Sequence, residues 1–116
     1  MKLTVYHLKT CDTCRKAIKA LDATGYDLTT IDVRADGIPK NKLAQLMAIV
    51  GRDALLNTRS TTWRGLDDAA KADIDNDKAL ALMGEHPTLI KRPVIDTGDG
   101  VFVGWTKTVQ DEFLND

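Results

Sequence analysis

Two cysteines three positions apart, in Thr10-Cys11-Asp12-Thr13-Cys14, are the residues of this chain best suited to covalent chemistry. An apolar run, Leu3-Thr4-Val5-Tyr6, precedes them. A helical pattern follows, with apolar positions at 14, 17, 18 and 21, the spacing of a helix with one buried face. Positions i and i+3 share a helix face, so the two thiols come within reach of a disulfide. Cys11 lies at the free end of the helix, where unpaired N–H groups and the positive end of the dipole favour a thiolate. Cys14 points along the stripe of Ile18 and Leu21. The pattern makes Cys11 the nucleophile and the more covered Cys14 the resolving thiol.

Two plainer readings compete. One C-x-x-C is half of a four-ligand zinc site, but the sequence has no second cysteine pair, and His7 and His86 are far apart in it. Two inert cysteines that pack as small hydrophobes are the other reading. Redox chemistry leads, and no metal is expected.

The elements that must hold these thiols begin with strand, helix, strand. Lys2–His7 is the first strand, the helix runs from about Asp12 to Thr24 with Gly25 as its stop, and Tyr26–Val33 is a second strand. A right-handed crossover makes the two strands parallel. A turn at Asp36-Gly37-Ile38-Pro39 leads into a helix with Leu43, Leu46, Met47 and Val50 on one face and Gly51 at its end. Asp53–Asn57 reads as a helical turn, Thr58–Gly65 as a polar stretch with Trp63, and Asp67–Ile74 and Asp77–Gly84 as helices. Residues 38 to 86 are thus a helical insertion in one domain of 1–116, too lightly apolar for a core of their own.

The last unit is a hairpin, Leu89–Asp96 and Val101–Gly104 around Gly98-Asp99-Gly100. A helix capped by Thr106 or Thr108 follows, burying Val109 and Phe113. The order β-α-β, helices, β-β-α is that of an α/β, thioredoxin-like mixed sheet with a central helical insertion.

Composition narrows the classes. At 43% hydrophobic and 28% charged the chain is an ordinary globular protein, and 16 basic against 17 acidic residues give no bulk charge for nucleic acid or membrane. The start lacks the apolar core of a signal peptide, and no run approaches a membrane span. A cytoplasmic location is expected, where a C-x-x-C is more plausibly catalytic or sensing than a staple.

Several separated motifs then agree. The chain resembles the arsenate-reductase-like family (ArsC, Spx and YffB-type proteins) of the thioredoxin fold. The matching stretches are Tyr6-His7-Leu8-Lys9-Thr10-Cys11, Leu55-Leu56-Asn57-Thr58-Arg59, Pro87-Thr88-Leu89-Ile90-Lys91-Arg92-Pro93 and Val103-Gly104-Trp105. Within the family, Asn57 to Arg64 and Ile90-Lys91-Arg92-Pro93 look most like the YffB branch, described as glutathione-dependent thiol reductases.

The resemblance implies that Cys11 is the catalytic thiol, that Arg59 and Arg92 line an anion site beside it, and that Pro93 follows a cis peptide. Thr10, Asp12 and Thr13 frame the ligand, with backbone N–H groups of this stretch turned to the sulfur. Guanidinium groups suit an oxyanion or a glutathione carboxylate, and would lower the thiol pKa; solvated surface charges are the plainer reading of both arginines. Glutathione is the implied co-substrate, with a small thiol or oxyanion substrate and glutaredoxin as a further partner.

Three departures matter. Arsenate reductases proper have a third arginine after the hairpin, where this chain has Val103-Gly104-Trp105-Thr106. The YffB-type motif commonly has one cysteine, whereas Cys14 adds a C-x-x-C like that of the Spx regulators, which bind RNA polymerase; a redox-sensing regulator is therefore the rival reading. Thr61-Thr62-Trp63-Arg64 departs from the Spx pattern. His7 either stabilises the thiolate or ends a strand, and the strand end is favoured. Trp63 reads as a packing residue, and Lys9 and Arg15 as solvated charges of modest use.

Overall fold

The computed structural model describes residues 2–114. They divide into two compact units, one of the residues up to 37 together with those from 92 onward and the other of residues 38–91.

The first unit holds the sheet. Strand β1 (Lys2–His7) is followed by helix α1 (Asp12–Thr24) and strand β2 (Asp27–Asp32). β1 and β2 are parallel, from Lys2 opposite Asp27 to His7 opposite Asp32. Helix α1 ends because Gly25 adopts φ +98°, and the N–H groups of Gly25 and Tyr26 close on the carbonyls of Asp22 and Leu21. That paired closure is a Schellman motif, whose left-handed residue is normally glycine.

In the second unit the chain makes helices α2 (Lys40–Val50), α3 (Arg52–Leu55), α4 (Thr61–Gly65), α5 (Asp68–Lys71) and α6 (Asn76–Glu85), then a 3-10 turn at Pro87–Leu89. Leu43, Leu46 and Met47 of α2 are buried as their spacing predicts, while Val50 is only half-buried. The polar stretch Thr58–Gly65 contains α4, because the Ser60 hydroxyl caps it by accepting the Trp63 N–H at 3.1 Å. Asp67 likewise caps α5 through the Ala70 N–H at 2.8 Å, but that helix stops at Lys71 rather than running to Ile74.

The stretch Leu89-Ile90 reads as the start of a hairpin strand and is not one. Pro87 opens a 3-10 turn there, as a residue with fixed φ and no N–H readily does. Ile90 instead forms an isolated bridge with Leu56, and the Asn57 and Lys91 N–H groups bond to Leu89 and Leu55.

Returning to the first unit, strands β3 (Val94–Asp96) and β4 (Val101–Val103) form an antiparallel hairpin, and helix α7 (Lys107–Leu114) ends the described chain. Gly98 takes φ +89° at the hairpin loop, where a side chain would be strained. The sheet order is β2-β1-β3-β4, with β1 antiparallel to β3, so the sheet is mixed and β1 is central. Thr106 caps α7 through the Val109 N–H. One face of the sheet buries Leu3, Val5 and Ile95 under Leu21 of α1 and Val109 and Phe113 of α7. Phe113 meets Tyr26 and Phe102 edge-on, at centroid distances of 5.9 and 5.1 Å. Helix α1 is thereby seated rigidly on the sheet, with its N-terminus beside the end of β1.

Candidate active site

The site is built where β1 hands the chain to α1. After His7 the backbone turns sharply. Leu8 is buried, and its carbonyl accepts the Cys11 N–H at 2.9 Å. Cys11 is then the N-cap of α1, at φ −91° and ψ 111°, and its sulfur accepts the Cys14 N–H at 3.4 Å. N-cap positions favour Ser, Thr, Asp and Asn because their oxygens satisfy orphan N–H groups of the first turn. Here a sulfur fills that role. The favoured partner of such donors is an anion, so the cap itself selects the thiolate.

The electrostatics of the two thiols diverge. Burial pushes the Cys11 thiol up, the largest single influence on it, but the hydrogen bonds from Cys14 and the guanidinium of Arg92 together outweigh burial. The net result is a Cys11 pKa below the ordinary 9.0. Arg92 acts on this sulfur both through space and as a hydrogen-bond donor. Cys14 is fully buried, and its thiol is pushed up to about 12, first by burial and then by the neighbouring Cys11 sulfur. Both are free cysteines. One is exposed enough to react and is favoured as an anion; the other is covered and held protonated.

Four of the residues singled out in the sequence lie together in the first unit: Cys11, Cys14, Arg92 and Pro93. The Arg92–Pro93 peptide is cis, and Pro93 is buried immediately before β3. Its carbonyl accepts the Gly104 N–H at 2.8 Å, which ties the hairpin to the proline corner. Thr10, Asp12 and Thr13 are exposed around Cys11. The backbone N–H that reaches the sulfur comes from Cys14, one residue beyond the Thr10–Thr13 stretch. Asp12 pairs with Arg15 at 3.2 Å with both side chains largely in solvent, an ion pair of little consequence for stability.

Arg59 belongs to the second unit. It is exposed in the turn before α4, where its N–H bonds to the Asn57 side chain at 3.0 Å and its carbonyl accepts from Arg64. Trp63, in α4, is half-buried. His7 ends β1, half-buried, where it draws down the Asp32 carboxyl. With Lys9, Arg15, Ile18 and Leu28 it lines a pocket of about 500 Å³ beside α1 and β2.

One buried acid was not singled out in the sequence. Asp32, at the end of β2, is 3% exposed and accepts the N–H groups of Lys9 at 3.1 Å and of Arg34 and Ala35 at 2.8 Å each. The signal for it is a carboxylate interrupting the apolar Ile31-Asp32-Val33 at a strand end. Among the described residues, no three His, Cys, Asp or Glu side chains are grouped as metal ligands, and no helix is long and apolar enough to cross a membrane.

Comparison with known proteins agrees with this geometry. Residues 6–113 match the model of the ArsC family. The chain is 42% identical over 105 residues to an uncharacterized protein of Haemophilus influenzae, covering 90% of this chain and 92% of that one. It is 28% identical over 102 residues to the arsenate reductase ArsI2 of Synechocystis, covering 85% and 71%. The solved structure of a YffB protein superposes with a TM-score of 0.90 at 38% identity, covering 97% of this chain and 98% of that one. With a helix-capping cysteine at the end of β1 and a cis proline entering β3, the chain belongs to the ArsC family and has its thioredoxin-like, arsenate-reductase-like oxidoreductase fold.

Proposed function

We propose that this protein is a glutathione-dependent thiol–disulfide reductase of the cytoplasm. The observation that carries the reading is the contrast between a capped, Arg92-paired Cys11 and a buried, protonated Cys14. Thiol–disulfide exchange needs an accessible thiolate, and only Cys11 meets that description. Its sulfur attacks one sulfur of a disulfide substrate, the substrate S–S bond breaks, and a mixed disulfide with Cys11 forms. The departing thiolate takes a proton from water.

The second step needs another thiol. A Cys14 held near 12 is a poor internal nucleophile at neutral pH, which favours glutathione as the resolving thiol. One glutathione thiolate attacks the mixed disulfide, frees Cys11 and leaves as a glutathione mixed disulfide. A second glutathione then reduces that product, so the two electrons come from two glutathione thiols. Arg92, beside the sulfur, holds a carboxylate or other anionic group of the ligand, a task that suits a planar guanidinium, and Arg59, on the second unit, is a further guanidinium of the same kind proposed for ligand binding. Thr10, Asp12 and Thr13 frame the approach to Cys11, and Pro93 offers the backbone beside it. Glutaredoxin is a further protein partner in recycling, and no bound cofactor or metal takes part.

Relatives of this chain are arsenate reductases, and an oxyanion fits the same charge. The stretch Val103-Gly104-Trp105-Thr106 supplies no third guanidinium for it, so a disulfide is the substrate proposed. Turnover of a small disulfide with glutathione is the test. Turnover that is lost in Cys11→Ser supports the reading. Absent turnover, together with recovery of RNA polymerase alongside the protein, would replace it with a redox-sensing regulator of the Spx kind.

A further inference from the structure

We propose that Asp32 is a positioning residue for Cys11: its buried carboxylate, by holding the Lys9 amide, fixes the loop that presents the reactive sulfur. The proposal rests on Cys11 being the reactive thiol.

The connection runs through one peptide plane. Asp32 Oδ2 accepts the Lys9 N–H at 3.1 Å. The carbonyl of that same peptide unit belongs to Leu8 and accepts the Cys11 N–H at 2.9 Å. A peptide unit is rigid, so anchoring its N–H fixes the direction of its C=O and with it the Cys11 amide. On the other side of Lys9, its carbonyl accepts Arg15 Nε at 2.9 Å. The residue before Thr10 and Cys11 is thus held at both of its backbone polar groups, once by a buried acid and once by an exposed base.

Asp32 is itself fixed. Its Oδ1 accepts the Arg34 and Ala35 N–H groups, its own N–H donates to Asp36 Oδ2 at 2.9 Å, and its carbonyl accepts the Asp36 N–H at 2.9 Å. It is the one buried acidic or basic residue among those described. A buried carboxylate is retained where its hydrogen bonds are satisfied, and every acceptor site used here serves backbone. The turn after β2 accounts for two of the three donors. The third, Lys9, lies 23 positions away in sequence, and the turn has no need of it.

Asparagine separates the two roles. In Asp32→Asn the amide oxygen still serves Arg34 and Ala35, while an NH2 group confronts the Lys9 N–H, donor against donor. The loop loses its anchor and the turn does not. Loss of the carboxylate charge by itself would leave the Cys11 sulfur alone or favour its anion. Loss of position withdraws the sulfur from Arg92 and the Cys14 N–H, and so favours the neutral thiol. The two explanations predict opposite signs.

The experiment measures the alkylation rate of Cys11 by iodoacetamide against pH, in the unmodified protein and in Asp32→Asn, with turnover of a small disulfide by glutathione alongside. The expected result is a folded variant whose Cys11 titrates at higher pH, with kcat/KM reduced by about tenfold or more, a displaced reacting group costing up to roughly a hundredfold. An unchanged or lower Cys11 titration in the folded variant overturns the proposal and leaves the assignment of Cys11 standing. An inert Cys11 in the unmodified protein overturns both. If Asp32→Asn does not fold, Lys9→Pro removes the same hydrogen bond from the donor side and is read by the same two outcomes. In the unmodified protein the Lys9 amide proton exchanges slowly and follows the Asp32 titration by NMR; a freely exchanging Lys9 amide also overturns the proposal.

Discussion

The backbone N–H of Cys14 donates to the sulfur of Cys11 across 3.4 Å, so the residue that would be the second thiol of a disulfide serves first as a donor to the thiolate. The same sulfur, once negative, holds the Cys14 thiol protonated. The two cysteines therefore divide the labour electrostatically. Conversion of Cys11 to a mixed disulfide removes that charge, but Cys14 stays buried.

From this division comes the first prediction. Cys11→Ser abolishes glutathione-supported disulfide turnover, whereas Cys14→Ser keeps it within about tenfold, because the external thiol resolves the intermediate. Turnover assays on both variants check this. Equal loss in the two variants would instead make Cys14 an obligatory resolving thiol.

Arg92 is predicted to act on the sulfur as well as on the ligand. Arg92→Gln removes a charge and a donor from beside Cys11, so the thiol titrates at higher pH. Its alkylation at neutral pH slows by roughly fivefold, about 1 kcal/mol for a partly solvated charge interaction. Arg92→Lys restores part of the charge without the planar fork and falls between. Stopped-time alkylation followed by mass spectrometry reads both.

Arg59→Gln is predicted to raise KM for an anionic disulfide by roughly fivefold with a smaller effect on kcat, the signature of lost ground-state binding of a charged group. Steady-state kinetics with anionic and neutral disulfides check it. An equal effect on both substrates would overturn the proposed anion-binding role of Arg59.

Asp32 also leaves a mark on stability. The Ala35 N–H is the strongest influence drawing its carboxyl below 3.8, burial opposes it, and Arg34, Lys9 and His7 add to the lowering. A carboxyl with a depressed folded-state pKa stabilises the fold above its unfolded pKa and loses that contribution as pH falls through the folded value. The melting temperature of the unmodified protein therefore exceeds that of Asp32→Asn near neutrality, and the gap narrows progressively as pH falls below about 4. Thermal melts at a series of pH values measure it, and a gap independent of pH would contradict it.

Core packing gives a check independent of chemistry. Ile95 is fully buried in β3, opposite Val5 and Phe102. Ile95→Ala is predicted to cost about 2–5 kcal/mol, the range for truncating a buried aliphatic side chain where neighbours cannot close the gap. Denaturant unfolding measures the loss.

Much of this was legible because it is local. Of the stripe at 14, 17, 18 and 21, Cys14, Ala17 and Leu21 are buried as the spacing predicts and Ile18 is half-buried, and Gly25, Thr106 and the Gly98 loop do what their residue types allow. What was not legible depends on partners distant in sequence. The β-like Leu89-Ile90 pairs in the second unit with Leu55, Leu56 and Asn57, because Pro87 turns the chain before the sheet begins. Helix α4 hides in a polar stretch because its stability comes from the Ser60 cap and a Thr62–Thr88 hydroxyl contact, not from an apolar face. Asp32 stands out in the sequence only as a carboxylate between Ile31 and Val33, and its third donor, Lys9, is 23 positions away.

The pH profile of Cys11 carbamidomethylation, read by peptide mass spectrometry with Cys14 as internal reference, decides whether the sulfur at position 11 is the reactive thiolate. Cys11 is expected to be modified first, with a midpoint below 9.0, while Cys14 stays unmodified in the folded protein. A Cys11 midpoint at or above 9.0, or modification of Cys14 ahead of Cys11, would contradict it.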